Sequence, residues 1–332
     1  MGQGGLRAAM FKDRYGRRVG YLRLSLTKAC AMRCLYCRPA WLGHPRGEAM
    51  LTPTEIEALV RHLAEHRGLT KVRLTGGDPS SRADLLEIIE RVAAVPGVAE
   101  VAMTTHGLAL AARAREYAAA GLKRVNVSLD TLDGQRFARM TGVDGLDRVI
   151  SGIDAAAAAG LGPMKINTVV VRGENEEDLV DLLRFSAERR LEQRFIELMP
   201  MGPLADAWSE RYVPENQMRG RLDSAVRSWT ALDQGHDAAR RYRVVMDDGM
   251  QATVGFITPM SCNFCAACNR IRVAADGGFY PCLMDEPAGT LLPALRPTFD
   301  AVELDRLIAA GLSGKAAEHP HRGFVTMTHI GG

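Results

Sequence analysis

Seven cysteines are the residues of this 332-residue chain whose spacing points most directly to chemistry. They fall in two groups, which are Cys30, Cys34 and Cys37 in the first, and Cys262, Cys265, Cys268 and Cys282 in the second. In a chain of this length without a secretory signal, closely spaced cysteines are more typical of metal binding than of disulfide bonds. Each group offers at least three thiolates.

The first group, Cys30-x3-Cys34-x2-Cys37, directly follows a predicted strand. Three thiolates on a cluster of four irons leave one iron open to bind and activate a ligand. A zinc site would need a fourth thiolate or a histidine, and His44 is the nearest histidine. Because barrel folds place their chemistry just after a strand, the position favours an iron–sulfur cluster on these three cysteines.

The second group contains Cys265-x2-Cys268-x13-Cys282, which again provides three thiolates, and Cys262 stands three residues earlier. If Cys262 were also a ligand, the site would be a closed four-iron cluster or a four-cysteine zinc site. A small buried thiol is the commoner role of a spare cysteine. We therefore predict that Cys265, Cys268 and Cys282 are the metal ligands.

Strand-like apolar runs alternate with helix-like segments between residues 21 and 198. The predicted strands are 21–27, 71–75, 100–104, 124–129, 165–171 and 194–198. The predicted helices are 53–66, with Thr52 as its cap and Pro53 in its first turn, then 82–94, 110–120, 146–159 and 176–190. This alternation favours a parallel sheet with outer helices, which could be an open doubly wound sheet or a barrel.

One face of these strands is repeatedly polar, whereas parallel strands are usually apolar on both faces. The polar positions are Arg23, Ser25, Thr27, Lys71, Arg73, Thr75, Asn126, Ser128, Lys165, Asn167 and Arg194. Solvent-facing charges at strand ends would explain one or two of them, but buried unpaired charge costs several kcal/mol per ion. The pattern therefore predicts an α/β fold in which an incomplete (β/α)6 TIM-like barrel surrounds a polar, ligand-filled cavity.

The pattern changes after Met199, where we predict a helix at 215–229, a hairpin of strands 241–246 and 250–257, and a last helix at 300–310. We predict three parts, which are a flexible tail at 1–12, a partial barrel at 13–200 and an α+β extension with the second cluster at 201–332. The net charge of +3 gives no field suited to nucleic acid or an anionic membrane. With no signal peptide or membrane-spanning stretch, we expect a cytoplasmic protein without nucleic-acid or membrane partners.

The first cysteine group, with Tyr36 before its last cysteine, resembles the signature of the radical S-adenosylmethionine (SAM) superfamily. Residues 75–79 resemble the Gly-Gly-Glu-Pro motif of that superfamily, with Asp78 in place of Glu. The resemblance implies a [4Fe-4S] cluster that binds SAM and cleaves it to a 5′-deoxyadenosyl radical. The implied SAM site consists of Tyr36, Gly76, Gly77, Asp78, Ser128 and Met199.

Four further segments resemble one branch, the GTP 3′,8-cyclase family of molybdenum cofactor biosynthesis. They are residues 15–25, 194–199, 264–272 and the terminal Gly331-Gly332, and the likeness runs from about residue 13 to residue 332. It implies a second [4Fe-4S] cluster whose open iron binds guanine. It also implies hydrogen abstraction from GTP C3′ and closure of a C3′–C8 bond, which gives (8S)-3′,8-cyclo-7,8-dihydroguanosine 5′-triphosphate. This is the first step of molybdopterin biosynthesis.

A triphosphate needs several guanidinium or ammonium groups, because charge-assisted bonds to phosphate are strong. Pattern and resemblance together give a candidate GTP site of Arg23, Lys71, Arg73, Thr104, Lys165, Arg194, Arg270 and Arg272. The resemblance implies that Arg23 also assists the chemistry and that Gly331 and Gly332 enter the active site to support turnover. His106 stands where this family usually has Asn.

The resemblance also implies partners, which are a reductant such as flavodoxin or ferredoxin and, downstream, cyclic pyranopterin monophosphate synthase. It suggests a homodimer. Two alternatives stay open at the level of the sequence. One is another radical SAM enzyme with an auxiliary cluster, such as a peptide maturase, and the other is a non-catalytic iron–sulfur or zinc-binding protein.

Overall fold

The computed structural model describes residues 10–38, 50–320 and 327–331. Six strands with the predicted order form the centre of its sheet, and they are β1 Tyr21–Ser25, β2 Lys71–Thr75, β3 Glu100–Thr105, β4 Arg124–Ser128, β5 Lys165–Val170 and β6 Glu192–Glu197. The helices between and after them are α1 Pro53–Arg67, α2 Leu85–Ala93, α3 Leu110–Ala119, α4 Gly134–Thr141, α5 Leu146–Ala158 and α6 Leu179–Glu188. All six predicted strands and five predicted helices are confirmed, whereas the short helix α4 was not predicted.

The start of α1 follows its sequence signals. The Thr52 hydroxyl accepts a hydrogen bond from the Glu55 amide, and the Glu55 carboxylate accepts one from the Thr52 amide at 2.7 Å. Pro53 occupies the first turn, and Gly68, with φ of 69°, ends the helix in the left-handed conformation. The predicted cap at Thr52 is therefore confirmed.

Strands β1 to β6 pair side by side in parallel, with β1–β2–β3–β4–β5–β6 as the spatial order. Later segments extend both edges, and they are β7 Val226–Ala231, β8 Ala239–Met246, β9 Gln251–Ile257, β10 Arg270–Val273 and β11 Phe279–Tyr280. Strand β9 pairs in parallel with β6, and β10 pairs in parallel with β1. Since β1 and β6 pair with these strands and not with each other, the barrel is incomplete, as predicted.

The later helices of the described residues are α7 Trp208–Arg211, α8 Glu215–Leu222, α9 Leu292–Leu295, α10 Ala301–Ser313 and α11 Met327–Ile330.

The predicted helix at 215–229 is wrong in its second half. After α8 the chain enters β7, where Trp229 packs edge-on against Tyr242 of β8. Pairing with β8 and this aromatic contact override the helical pattern, since strands favour β-branched and aromatic residues. The predicted hairpin of β8 and β9 is confirmed.

The two faces of the six central strands differ as their sequence predicted. Leu22, Leu24, Val72, Leu74 and Val125 are fully buried in one hydrophobic core with the inner faces of the helices. The proposed division of the chain into two parts near residue 200 stays a prediction. The hydrogen-bonded sheet continues across this position, because β9 pairs with β6. In the part of the chain that the structure describes, no helix is long and apolar enough to cross a membrane.

Candidate active site

A cavity of about 490 Å³ lies on the polar side of the sheet, a volume typical of ligand sites. All six central strands contribute to its wall, so the sheet curves around it. The wall includes nine of the eleven predicted polar positions, Arg23, Lys71, Arg73, Thr75, Asn126, Ser128, Lys165, Asn167 and Arg194. The prediction of a polar cavity is therefore confirmed. Ser25 and Thr27 are buried but do not belong to the lining.

The first cysteine group forms one side of this cavity, and Cys30, Cys34 and Cys37 all line it. Burial raises the pKa of Cys30 to about 11 and that of Cys37 to about 12. Burial also raises the pKa of Cys34 well above its ordinary value, and the nearby Asp130, Cys37 and Cys30 raise it further. Three partly buried thiols within electrostatic reach of one another become thiolates most readily when a cationic metal centre binds them. This donor set therefore fits a metal cluster.

A single metal ion fits less well. In residues 10–38, 50–320 and 327–331, no three or more His, Cys, Asp or Glu side chains are arranged to hold one ion. A four-iron cluster is larger than one ion, so its thiolates stand further apart. His44, the nearest histidine of the zinc alternative, lies outside the described residues.

The loop of the first cysteine group packs directly on Gly76 and Gly77. A Cβ atom on Gly77 would lie 2.3 Å from the Ala29 carbonyl oxygen, so only glycine allows this approach. The amides of Gly77 and Asp78 donate hydrogen bonds to the carbonyls of Thr27 and Ala29 at 2.7 and 2.8 Å. The two glycines line the cavity and hold the cysteine loop against the end of β2.

The Asp78 side chain is engaged by the protein itself. Its oxygens accept hydrogen bonds from the Ser80 hydroxyl at 2.6 Å, the Thr105 hydroxyl at 2.8 Å and the His106 amide at 2.7 Å. The carboxylate therefore ties the loop after β2 to the end of β3. The His106 ring nitrogen Nε2 lies 3.6 Å from Asp78, and both residues line the cavity.

The other predicted SAM residues also line the cavity. The Tyr36 hydroxyl donates to Asp130 at 2.7 Å, and Ser128 and Met199 stand at or just beyond the ends of β4 and β6. Burial raises the pKa of Asp130 to about 6. All six candidate SAM residues thus share the mouth where the first cysteine group lies, and their roles stay predictions.

Arginines form a row across neighbouring strands. Arg272 of β10 pairs in register with Arg23 of β1, which pairs in turn with Arg73 of β2. In the adjacent row, Arg270 pairs with Tyr21, which pairs with Lys71. Since residues in register project to the same side of a sheet, these cations all face the cavity.

Tyr21 lies among these cations and accepts a hydrogen bond from Arg73 Nε. Burial raises the pKa of this phenol, but Arg73 and Arg23 lower it more, so that it falls to about 7. Burial lowers the pKa of Arg23 to about 10 and that of Arg272 well below its usual range. Cations crowded in this way favour an anionic ligand.

Four cations that line the cavity are paired with carboxylates. Glu100 contacts Lys71 and Arg124 at 3.1 and 2.7 Å. Arg194 contacts Glu192 and Asp237 at 2.5 Å each, and Lys165 lies 3.5 and 3.3 Å from these two carboxylates. Burial and, after it, the nearby Arg194 together lower the pKa of Lys165 to about 8.

The second cysteine group lies beside the cavity, and its neighbours Phe264, Asn269, Arg270 and Leu283 line the wall. Burial raises the pKa of Cys265, and Cys282 and Cys268 raise it further, so these three thiols lie near one another. Cys262 is exposed.

The surroundings of Cys268 are basic. Lys315 Nζ lies 3.7 Å from its sulfur and donates to the Arg270 carbonyl at 2.9 Å. Burial raises the pKa of Cys268, but Arg270 and Lys315 lower it more, to about 7. These cations stabilise the thiolate that a metal cluster requires.

The carboxyl-terminal segment enters the same cavity. Arg272 Nη1 donates to the Gly331 carbonyl at 2.6 Å, and Met327 lines the wall. A Cβ atom on Gly331 would lie 2.2 Å from Thr75 Oγ1. Gly331 therefore lies against the arginine row and the end of β2, whereas Gly332 lies outside the described residues.

Comparison with known proteins agrees with both halves of this site. The profile of the Radical SAM superfamily matches residues 24–186, and that of Molybdenum Cofactor Synthesis C matches residues 191–321. The GTP 3′,8-cyclase of Moorella thermoacetica is 40% identical, with 93% of this chain and 94% of that protein covered. This chain belongs to the GTP 3′,8-cyclase family of radical SAM enzymes.

Other relatives extend the comparison. The GTP 3′,8-cyclase of Pelotomaculum thermopropionicum is 41% identical, with 93% of this chain and 94% of that protein covered. Among solved structures, Streptococcus suis SuiB bound to S-adenosylmethionine aligns with a TM-score of 0.58 at 16% identity, over 87% of this chain and 65% of SuiB. At that identity the likeness shows the fold alone, which is the radical SAM fold with a carboxyl-terminal extension.

Several cavity residues of this cyclase-family chain were not predicted. Tyr21 and Arg124 lie two residues before Arg23 and Asn126 and follow the same alternation. Extending the polar pattern by one more alternate residue would therefore have found them. Asp237 had no signal in the sequence, because its partners lie 43 and 72 positions away. Glu197 accepts hydrogen bonds from the Met260 and Ser261 amides at 3.0 Å each, and so holds the segment that leads into the second cysteine group.

Proposed function

We propose that this chain is a radical SAM GTP 3′,8-cyclase that converts GTP to (8S)-3′,8-cyclo-7,8-dihydroguanosine 5′-triphosphate. The observation that carries the proposal is one cavity in which three cysteines face a row of arginines. The cysteines suit a redox cluster and the arginines suit a polyanion, so the cavity offers both requirements of the reaction. The identity of 40% to a GTP 3′,8-cyclase over nearly the whole chain supports it.

In this proposal Cys30, Cys34 and Cys37 hold a [4Fe-4S] cluster. With SAM bound, the cluster supplies the 5′-deoxyadenosyl radical that abstracts the hydrogen atom from GTP C3′. The candidate SAM residues Gly76, Gly77 and Ser128 surround the same mouth and orient the cofactor. Tyr36 and Asp130 brace the cysteine loop through their hydrogen bond.

We further propose a second [4Fe-4S] cluster on Cys265, Cys268 and Cys282, placed to bind the guanine base. Its basic neighbours, Arg270 and Lys315, support the thiolate form of the ligands. The three-ligand arrangement requires Cys262 to stay unbound, and its exposure agrees with that role.

The candidate GTP residues hold the triphosphate and the sugar. Arg23, Arg73 and Arg272 stand side by side, which suits bidentate contacts with phosphate oxygens. Thr104 accepts a hydrogen bond from Arg73 at 3.3 Å and so fixes the direction of that guanidinium. Arg23, at the centre of the row, is the residue proposed to assist the chemistry, and Gly331 and Gly332 are proposed to close the site and exclude water.

The other expectations stay proposals. They are flavodoxin or ferredoxin as reductant, cyclic pyranopterin monophosphate synthase as the next enzyme, a homodimer, and the division of the chain into residues 1–12, 13–200 and 201–332.

The deciding experiment uses the anaerobically reconstituted protein with dithionite, SAM and GTP deuterated at C3′. We expect deuterium in 5′-deoxyadenosine and a cyclised triphosphate product, both measured by mass spectrometry. GTP deuterated at C2′ is the matched control and should transfer no deuterium. Formation of unlabelled 5′-deoxyadenosine from the C3′ substrate would reject GTP as the hydrogen donor. No 5′-deoxyadenosine from cluster-loaded protein would reject radical SAM chemistry.

A further inference from the structure

On one side of the candidate phosphate site, a carboxylate forms ion pairs with the cations that would bind phosphate. Asp237 lies in the loop between β7 and β8 and lines the cavity. Arg194 donates two hydrogen bonds to it, Nη1 to Oδ1 at 3.0 Å and Nη2 to Oδ2 at 2.5 Å. Lys165 Nζ lies 3.3 Å from Oδ2. A carboxylate held by two donors of one guanidinium has the geometry in which Arg also binds phosphate.

Asp237 differs from the other carboxylates that pair with these cations. Glu100 and Glu192 contact the same group of cations but do not line the cavity, whereas Asp237 does. Lys165 and Arg194 line the cavity as well, so a ligand that takes the Nη1 and Nη2 donors of Arg194 must displace the Asp237 carboxylate that accepts from them. A phosphate group and this carboxylate cannot use the same donors together, because both are anionic.

The arginine row on the other side is different. Within residues 10–38, 50–320 and 327–331, Arg73, Arg270 and Arg272 have no carboxylate at ion-pair distance. Their partners are neutral or aromatic: Arg73 donates to Tyr21, Arg272 donates to the Gly331 carbonyl, and Arg270 lies over the Phe264 ring. Among the described residues, no carboxylate has to be displaced for an anion to reach these three arginines.

We propose that Asp237 is a specificity-determining residue, an internal anion that occupies Lys165 and Arg194 until the phosphates of a polyanionic ligand replace it. A ligand of low charge gains little from these two cations, because the Asp237 carboxylate, together with that of Glu192, already neutralises them. A triphosphate carries enough charge to displace the carboxylate and still engage the arginine row. The identification of that ligand as GTP rests on the proposed function.

The loop allows the exchange without refolding. The Asp237 amide donates to the Gln234 carbonyl at 2.9 Å, and the Gln234 side chain donates to the Asp237 carbonyl at 3.3 Å. These backbone contacts stay in place when the carboxylate turns away. Only the ion pairs and the 3.3 Å contact from the Ala239 amide are lost.

The test compares Asp237→Asn with Asp233→Asn, a control at an exposed aspartate of the same loop. The protein with reconstituted clusters is titrated calorimetrically with inorganic tripolyphosphate, GTP and guanosine. We expect Asp237→Asn to bind tripolyphosphate and GTP about tenfold more tightly than wild type, as expected when a charge-assisted competitor is removed. Guanosine affinity and the Asp233→Asn protein should be unchanged. Asp237→Ser is measured in parallel, so that the result does not depend on the folding of one variant.

Unchanged or weaker binding of both polyanions by the Asp237 variants would overturn the proposal, and so would an equal gain for guanosine. The result separates this proposal from the cyclase function. If the wild type makes the cyclised product but the variants gain no affinity, only the role of Asp237 is rejected. If the variants gain affinity for tripolyphosphate but the wild type transfers no deuterium from GTP, the role of Asp237 as an internal anion is supported and the cyclase function is rejected.

Discussion

The two cysteine groups differ in the charges beside them, and of the two only the first contributes its cysteines to the described wall of the cavity. In the first group, burial and, after it, the nearby Asp78 together raise the pKa of Cys30 to about 11. Burial likewise raises the pKa of Cys34, and Asp130 adds to that effect. The first group is thus a partly buried site with two carboxylates and one cation, Arg38, beside it.

In the second group, the neighbours are cations. Burial raises the pKa of Cys268, but Arg270 and Lys315 lower it to about 7. Nearby charge sets the potential of an iron–sulfur cluster, because reduction adds an electron that cations stabilise and carboxylates destabilise. For the two proposed clusters, this difference predicts a lower potential for the first, suited to the cleavage of SAM, than for the second, suited to substrate binding.

The largest effect should separate the two groups by function. We expect Cys34→Ala to reduce 5′-deoxyadenosine formation to background, since the first cluster loses a ligand. Cys268→Ala should retain SAM cleavage but lose the cyclised product. Both losses should exceed the roughly 10–100-fold cost of changes outside the ligand sphere. Mass spectrometry of both products and iron analysis check this, and equal loss of SAM cleavage in both variants would contradict separate roles.

The next largest effect concerns the terminal segment between the two groups. Gly331 has φ of 71°, and a Cβ atom would lie 2.6 Å from Thr75 Cβ and 2.8 Å from the Gly76 amide. Gly331→Ala should displace this segment at a cost of roughly 1–3 kcal/mol, or about 5- to 150-fold in product formation. Iron content should be unchanged. Gly134→Ala, where a Cβ meets nothing within 4 Å, is the control, and full activity of Gly331→Ala would refute the role of the tail.

A smaller effect should change the reduction potential of the second cluster alone. Lys315→Met removes the cation 3.7 Å from the Cys268 sulfur, so the potential of the second cluster should fall by about 60 mV, a tenfold change for one electron. Paramagnetic resonance during a redox titration measures both clusters, and the first serves as the internal reference. Lys123→Met, at an exposed lysine, should leave both potentials in place. If the reduction potential of the second cluster did not change, the electrostatic difference would no longer support separate roles for the two clusters.

The smallest effect should be that of Cys262→Ala. Because Cys262 is exposed and is not a predicted ligand, iron content should stay near about eight per chain. Stability should change by no more than about 0.5 kcal/mol, as for most surface positions. Chemical iron analysis and product formation are the measurements. Loss of about four irons would show that the second group binds its cluster through four cysteines.

Prediction from the sequence succeeded where the signal was local or periodic. The alternation of Arg23, Lys71, Arg73, Lys165 and Arg194 with apolar neighbours indicated the cavity, and the structure places all five in its wall. The helix predicted at 215–229 failed because β7 takes its form from pairing with β8, which local propensity does not encode. The Asp78 carboxylate was assigned to SAM from its motif, but in the structure it joins Ser80 to Thr105.

The sequence alone determined which residues are candidates for the chemistry, because cysteine spacing and strand periodicity are written into neighbouring positions. Only the tertiary structure decided which charged groups surround those residues and which partners they contact. Asp237 reaches Arg194 through a loop 43 positions later in the chain, and Arg272 reaches Gly331 across 59 positions. The path of the chain fixes such contacts, and a short-range pattern holds no record of them.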